Sequence, residues 1–278
     1  MRNPAANAEL ALLLEVAGTP KPGNVDRERD LAGLRFEHFL AGAVGARAGL
    51  DAAETGAPVG DAFEESVAGM AESAGTNTQF GCLLLLVPLV RAAADGDLTP
   101  ESAREAVKGT TVADAAGFYR AFEHTDVAVR DPPEGMDALD VRRGADAVNE
   151  LESRDLTLYD VMESSADHDA NAREWVNGFP RVFRAAAHVE VADGTLSERA
   201  AEAFLWLLAE EPDTLVATQH GDEVAREIQE RALAMQDADH AAVSEFADEL
   251  VERGVNPGTT ADLTAAALFV ALERGLDL

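Results

Sequence analysis

The sequence predicts an all-α fold, a single compact globular domain over residues 1–278 with roughly a dozen helices around a buried C-terminal helix. Three observations predict it. Apolar residues recur at helical spacing through most of the chain, no stretch alternates with period two over β-branched residues, and no hairpin turn separates two such runs. The 278 residues are 47% apolar, enough for a sizeable core, and no repeat of fixed length points to a solenoid.

The first helix covers 5–17, carries Glu9 and Glu15 among apolar residues, and is stopped by Gly18 and a Pro-Lys-Pro loop. Helix 36–50 follows, with Phe36, Phe39, Leu40, Ala43 and Val44 at helical spacing. Helix 60–74 sets Phe63, Val67 and Met70 on one face, with Asp61, Glu64, Glu65 and Glu72 largely opposite. Gly75-Thr76-Asn77-Thr78-Gln79 then caps an apolar helix that starts at Phe80, leaving its first amides free to receive an anion. That apolar run, 80–90, is about half the ~20 residues a bilayer needs, so it reads as a buried helix. Thr99-Pro100 opens another, with threonine as cap and proline in the first turn. Asp131 to Gly135, with Pro132 and Pro133, reads as a short internal linker that does not divide the chain. Helices are predicted over 137–151, 158–177, 180–191, 197–210, 221–236 and 238–252. The last, 262–274, follows Asn256-Pro257-Gly258-Thr259-Thr260 and is apolar beyond its first turn, which suits the centre of the fold.

Charge narrows the function classes. Fifty-two acidic against 22 basic residues give a net charge of -30, spread along the chain. No basic patch offsets phosphate repulsion, so free nucleic acid and anionic membranes are excluded as partners, and an anionic small ligand needs a local cationic pocket. Such a surface suits a halophilic protein in a very salty cytoplasm, and self-repulsion is expected to unfold it at low ionic strength. Cys82 is alone, which excludes an intrachain disulfide and a cysteine metal site and fits a reducing cytoplasm. The apolar stretch 10–16 is interrupted by Glu15 and is not a secretory signal. A homo-oligomer is compatible with the sequence.

The phosphate loop Gly-x-x-x-x-Gly-Lys, Gly-x-Gly-x-x-Gly, His-Glu-x-x-His, the EF-hand loop and Gly-x-Ser-x-Gly are all missing. Four polar clusters remain at helix borders: Lys21 to Arg27, Gly75 to Gln79, Asp167 to Phe179, and Asn256 to Asp262. The first is the most distinctive. Only Lys21 and Lys108 are lysines, and one of them stands between two prolines on a stiff loop with Asn24, Asp26 and Arg27.

Thr19-Pro20-Lys21-Pro22-Gly23-Asn24-Val25-Asp26-Arg27 resembles the Thr-Pro-Lys-Pro-Gly-(Leu/Asn)-Val-Asp-Arg signature of the triphosphoribosyl-dephospho-coenzyme A synthase family. Thr76-Asn77-Thr78 is similar to its Asn-Thr-His segment in the archaeal-type branch. Glu174 with Gly178-Phe179-Pro180, and Pro257-Gly258 with Ala261-Asp262-Leu263, resemble two further stretches in the same order. The resemblance implies an all-α transferase that displaces adenine from ATP and attaches the triphosphoribosyl group to dephospho-coenzyme A.

That chemistry needs a carboxylate near an oxocarbenium-like centre, and cations, helix-start amides and a hydrated Mg²⁺ for the triphosphate. Glu174 and Asp262 are the expected catalytic carboxylates, and Asp26 and Asp262 the expected metal ligands. Lys21 and Arg27 are expected to meet phosphates, Asn24 and Asp26 to place ribose or metal, and Thr76, Asn77 and Thr78 to hydrogen-bond an anion. Arg173 and Asn177, four apart, are expected to flank Glu174 on one helix face, and Gly258 belongs to the last segment.

The chain also departs from the pattern. Asp213-Thr214-Leu215 and Gln219-His220-Gly221 stand where the family shows Asp-Thr-Asn and then Arg-Gly-Gly, Gln79 replaces a histidine, and Arg173 adjoins Glu174 without an intervening glycine. These changes leave open a ribosyl transfer to another acceptor, such as a pterin precursor, or a non-catalytic nucleotide-binding protein.

Overall fold

The computed structural model describes residues 2–132 and 135–278. Among them, sixteen α-helices and two 3₁₀ segments form all regular structure apart from two isolated bridges, so the all-α expectation holds. The expected linker at 131–135 includes Pro133 and Glu134, which lie outside the described residues.

The last helix, α16 (Gly258–Glu273), is the axis of the molecule. Every residue from Thr259 to Leu272 is buried except Asp262. Helices α1 (Pro4–Ala17), α5 (Phe80–Asp95), α11 (Pro180–Val191) and α12 (Leu196–Glu210) pack around it. Ala265, Ala266, Ala267 and Ala271 let these neighbours come close, while Leu263, Leu268, Phe269 and Leu272 fill the gaps. Each of the large side chains contributes roughly 1.5–3 kcal/mol by leaving water, so packing rather than helix propensity holds α16.

Three of the expected helices are broken, at 36–50, 137–151 and 158–177, the first two as follows. Helix 36–50 bends at Ala46 into α2 (Phe36–Gly45) and α3 (Arg47–Glu54), which cross α4 (Val59–Ala74). Backbones touch there: a Cβ on Gly45 would lie 2.2 Å from the Gly69 carbonyl oxygen, and one on Gly69 would lie 2.1 Å from that of Gly45. Helix 137–151 is replaced by 3₁₀ segments Asp137–Leu139 and Val141–Ala147 and a short α8 (Val148–Arg154). Gly144 turns to φ 53° there, and the Glu123 carboxylate accepts the Ala145 N–H at 2.7 Å.

Helix α5 contains Pro88, which has no N–H to give to the Leu84 carbonyl one turn back. The Trp175 indole N–H donates to that carbonyl instead, at 3.0 Å, and Trp175 is fully buried. This bond fixes α10 (Ala170–Asn177) across α5.

The remaining helices are α6 (Pro100–Lys108), α7 (Val112–Ala121), α9 (Leu158–Ser165), α13 (Thr214–His220), α14 (Asp222–Ala234) and α15 (His240–Glu252). Besides the large central core, a smaller cluster joins α12, α14 and α15 through Phe204, Ile228, Phe246 and Leu250, and a third lies at Val16, Val25 and Phe39.

Candidate active site

The loop after α1 is inside the protein. Lys21 has no exposed surface, and its ammonium is held by the buried Glu15 carboxylate and by Asn24 Oδ1 at 3.0 Å. The Phe204 ring lies beneath it, 5.7 Å from the nitrogen. Asn24 Nδ2 then donates to Asn256 Oδ1 at 2.8 Å, and Gly23, at φ 73°, lies against the Val255 carbonyl, where a Cβ would be 2.3 Å away. The loop is thus tied to the residues that lead into α16.

Asp26 organises the loop from within. Its Oδ2 accepts from Thr19 Oγ1, the Lys21 N–H and Arg29, at 2.9, 3.1 and 3.2 Å, and its Oδ1 accepts the Glu28 N–H at 2.8 Å. These partners correct three expectations. Lys21 faces Glu15 rather than a phosphate, Arg27 points to solvent, and Asp26, with no exposed surface, serves the loop rather than a metal or ribose.

A second grouping forms where α5, α10 and α16 begin. Asp262 Oδ2 accepts from Asn171 Nδ2 at 2.8 Å, and its Oδ1 accepts from the Cys82 thiol at 3.2 Å. Glycine is required at position 81, since a Cβ there would be 2.0 Å from the Asp262 carboxylate. Burial raises the Asp262 pKa to about 8 against the pull of its two hydrogen bonds, and the charges of Asp213 and Asp169 add to the rise. The Cys82 thiol is also pushed well up, first by burial and then by Asp262 and Glu15, so it stays protonated and donates.

Hydrogen-bonding capacity is unused around the start of α5, where Thr78 and Gln79 face Gly42 of α2 and Asn171 faces Asp262. Among the described residues, Thr78 Oγ1, both amide atoms of Gln79 and Asn171 Oδ1 are buried without a partner. Asn77 and Thr76 lie on the outer side of the α5 start, in a cavity of about 280 Å³ that His124, Thr125 and Asp126 also line. Asn77 accepts the Phe80 N–H and donates to the Asp126 carbonyl, both at 3.2 Å.

Glu174 is placed differently from the expectation. It is buried, and its Oε2 accepts the Arg181 and Val182 N–H groups at 3.0 and 3.1 Å, which caps α11. Burial raises its pKa to about 7 despite those bonds and the nearby Arg181 charge. The expected 158–177 helix breaks before Asp169, which caps α10 by accepting from the Asn171 and Ala172 N–H groups at 2.8 and 3.2 Å. Helical rotation then turns Asn171 and Glu174 inward and Arg173 and Asn177 outward. Arg173 pairs with Glu211 at 3.4 Å, and exposed Asn177 donates to the Arg173 carbonyl at 2.9 Å, so neither shares a face with Glu174. Gly258 makes room for Leu215, whose methyl lies 2.5 Å from where a Cβ would be.

Among the described residues no group of three His, Cys, Asp or Glu side chains is arranged to hold a metal ion, and no helix is long and apolar enough to cross a membrane.

Asn171, Cys82 and Glu15 did not stand out in the sequence. A signal existed for Glu15, a lone acid in the apolar run beside one of only two lysines. None marked Asn171 until the helix break before it was known.

The sequence model of the ATP:dephospho-CoA triphosphoribosyl transferase family matches residues 1–277. A crystal structure from Archaeoglobus fulgidus, of a protein assigned as a triphosphoribosyl-dephospho-coenzyme A synthase, superposes with a TM-score of 0.70. It shares 27% identity with this chain and covers 85% of it and 99% of its own length. No curated protein matches.

Proposed function

Because this chain belongs to the ATP:dephospho-CoA triphosphoribosyl transferase family, we infer that it moves the triphosphoribosyl unit of ATP to dephospho-coenzyme A and releases adenine. The family match over residues 1–277 carries this reading. Neither a pterin-type acceptor nor a non-catalytic nucleotide binder is favoured by the comparisons.

Asp262 is the residue we assign to proton transfer. In the reaction the C1′–N9 bond of ATP breaks, its electron pair leaves with adenine, and an acceptor hydroxyl oxygen bonds to C1′. One proton moves in net terms, from that hydroxyl to adenine. A carboxyl with a pKa of about 8 is protonated in about nine of ten molecules at pH 7, so it suits the donor. Having given its proton to adenine, the carboxylate is the base that takes the hydroxyl proton, which restores the starting state. The hydrogen bonds from Asn171 and Cys82 support the carboxylate half of this cycle. The raised pKa supports the acid half.

Mg²⁺ enters with the triphosphate rather than as a resident ion, a reading supported by the internal use of Asp26 and the single carboxylate at Asp262. Thr76, Asn77 and the α5 start remain the proposed anion-facing elements. The acidic surface supports a high-salt cytoplasm as its place of action.

The test is chromatography of ATP incubated with the protein, with and without dephospho-coenzyme A. Adenine and a heavier coenzyme adduct appearing together support the reading. ADP or AMP in place of adenine overturns it.

A further inference from the structure

We propose that Asp213 is a positioning residue for the transfer, fixing the α16 turn that leads to Asp262 while the adjacent Thr214 holds the residue before Asn171. The proposal rests on the assignment of Asp262 above.

Asp213 is 4% exposed and uses all its acceptor capacity. Its Oδ1 takes the Leu215 and Val216 N–H groups at 2.9 and 3.0 Å. Its Oδ2 takes both the N–H and the hydroxyl of Thr260, each at 2.7 Å. Thr260 lies two residues before Asp262 in the first turns of α16, so one carboxylate fixes that turn against the start of α13.

The neighbouring residue holds the other partner. Thr214 Oγ1 accepts the Ala170 N–H at 3.3 Å, immediately before Asn171, and lies 3.1 Å from Thr259 Oγ1. Thr259 Oγ1 in turn accepts the Leu215 N–H at 3.2 Å. Asn171 and Asp262, 91 residues apart in the chain, therefore meet because Asp213 and Thr214 grip the residues just ahead of each. Backbone N–H groups and short hydroxyls make this grip, so it tolerates little slack. A shift of ~1 Å at a reacting group costs on the order of a hundredfold in rate.

An Asp213→Asn substitution turns an amide N–H₂ toward either Thr260 or the two α13 amides, donor against donor, and breaks half of the clamp. Thr260→Val keeps the shape and the Asp213 charge and removes only the hydroxyl bond. Thr260→Ser keeps that bond.

Adenine release is measured with each variant, together with the melting temperature and the Asp262→Asn control. We expect kcat to fall ~10-fold in Thr260→Val and ~100-fold in Asp213→Asn, with the KM for ATP within about twofold, and Thr260→Ser to stay near the parent. If Asp213→Asn does not fold, the Thr260→Val and Thr260→Ser pair decides. The proposal is overturned if the variants melt lower yet keep kcat within about twofold of the parent while Asp262→Asn is inactive, since Asp213 is then a structural cap only. Full activity in Asp262→Asn overturns the assignment of Asp262 itself and leaves the clamp nothing to position.

Discussion

The loop at 19–27 and the junction of Asn171 with Asp262 both lean on the start of α16, yet they treat polar groups in opposite ways. In the loop, Lys21, Asn24 and Asp26 each find protein partners, and only the terminal Arg27 puts a charge in water. At the junction, Asn171 keeps a buried oxygen without a partner, as Thr78 and Gln79 do on the α2 side of the α5 start, and Asp262 holds a proton that an ordinary aspartate would have lost. Satisfied groups fix a shape, whereas unmet ones hold capacity for a substrate. The segment richest in recognisable residues is therefore the frame, and the proposed proton transfer is assigned to the less conspicuous one.

Removing a satisfied partner breaks this contrast most directly. Lys21→Ala leaves Glu15 as a buried charge without its counter-ion and is expected to cost about 3–5 kcal/mol in denaturant unfolding. A loss below ~1 kcal/mol means that the loop is not the rigid frame described.

Glu174 tests the middle ground, a buried carboxylate that is capped and still poorly solvated. Its pKa of about 7 in the folded protein lies above its ordinary 4.5, so the folded state binds the extra proton. Stability from this group is complete below about pH 4.5 and falls as pH rises to about 7, by up to ~3 kcal/mol. Glu174→Gln removes that share of the fall, read as a smaller difference in unfolding free energy between pH 4.5 and 8. Identical differences in parent and variant contradict the assignment of its proton.

The smallest expected effect has opposite signs for an unmet and a satisfied polar group. Gln79→Met removes an amide that is buried without partners and is expected to stabilise by about 1–2 kcal/mol, whereas Asn24→Leu cuts two made bonds and destabilises by a similar amount. Thermal melts check both, and a destabilised Gln79→Met removes the distinction.

The same contrast explains what the sequence could and could not show. Helix 180–191 is found at its expected bounds, and α1, α4 and α12 within a residue, because periodic apolar faces and caps such as Thr195 are local signals. Helices α7 and α13 went unread although Thr111 and Asp213 cap them, since each offers only a few turns of weak pattern. The partner of Lys21 is six residues away, but knowing that both side chains turn inward needed the packing of α12 against α1. Asp262 was legible as a polar residue opening an apolar helix. Asn171 was not, because its inward direction depends on the α10 start at Asp169 and on Trp175 reaching Leu84 across the gap left by Pro88.

Single-turnover adenine formation from ATP and dephospho-coenzyme A, in two variants shown to be folded, tests most directly where the chemistry resides. In the double variant Glu15→Gln with Lys21→Met, which removes the buried pair as a unit, the rate is predicted to stay within ~10-fold of the parent, and in Asp262→Asn to fall ~10²–10⁴-fold. An Asp262→Asn protein that keeps its rate, beside a folded double variant that loses it, contradicts the account and returns the reaction to the lysine loop.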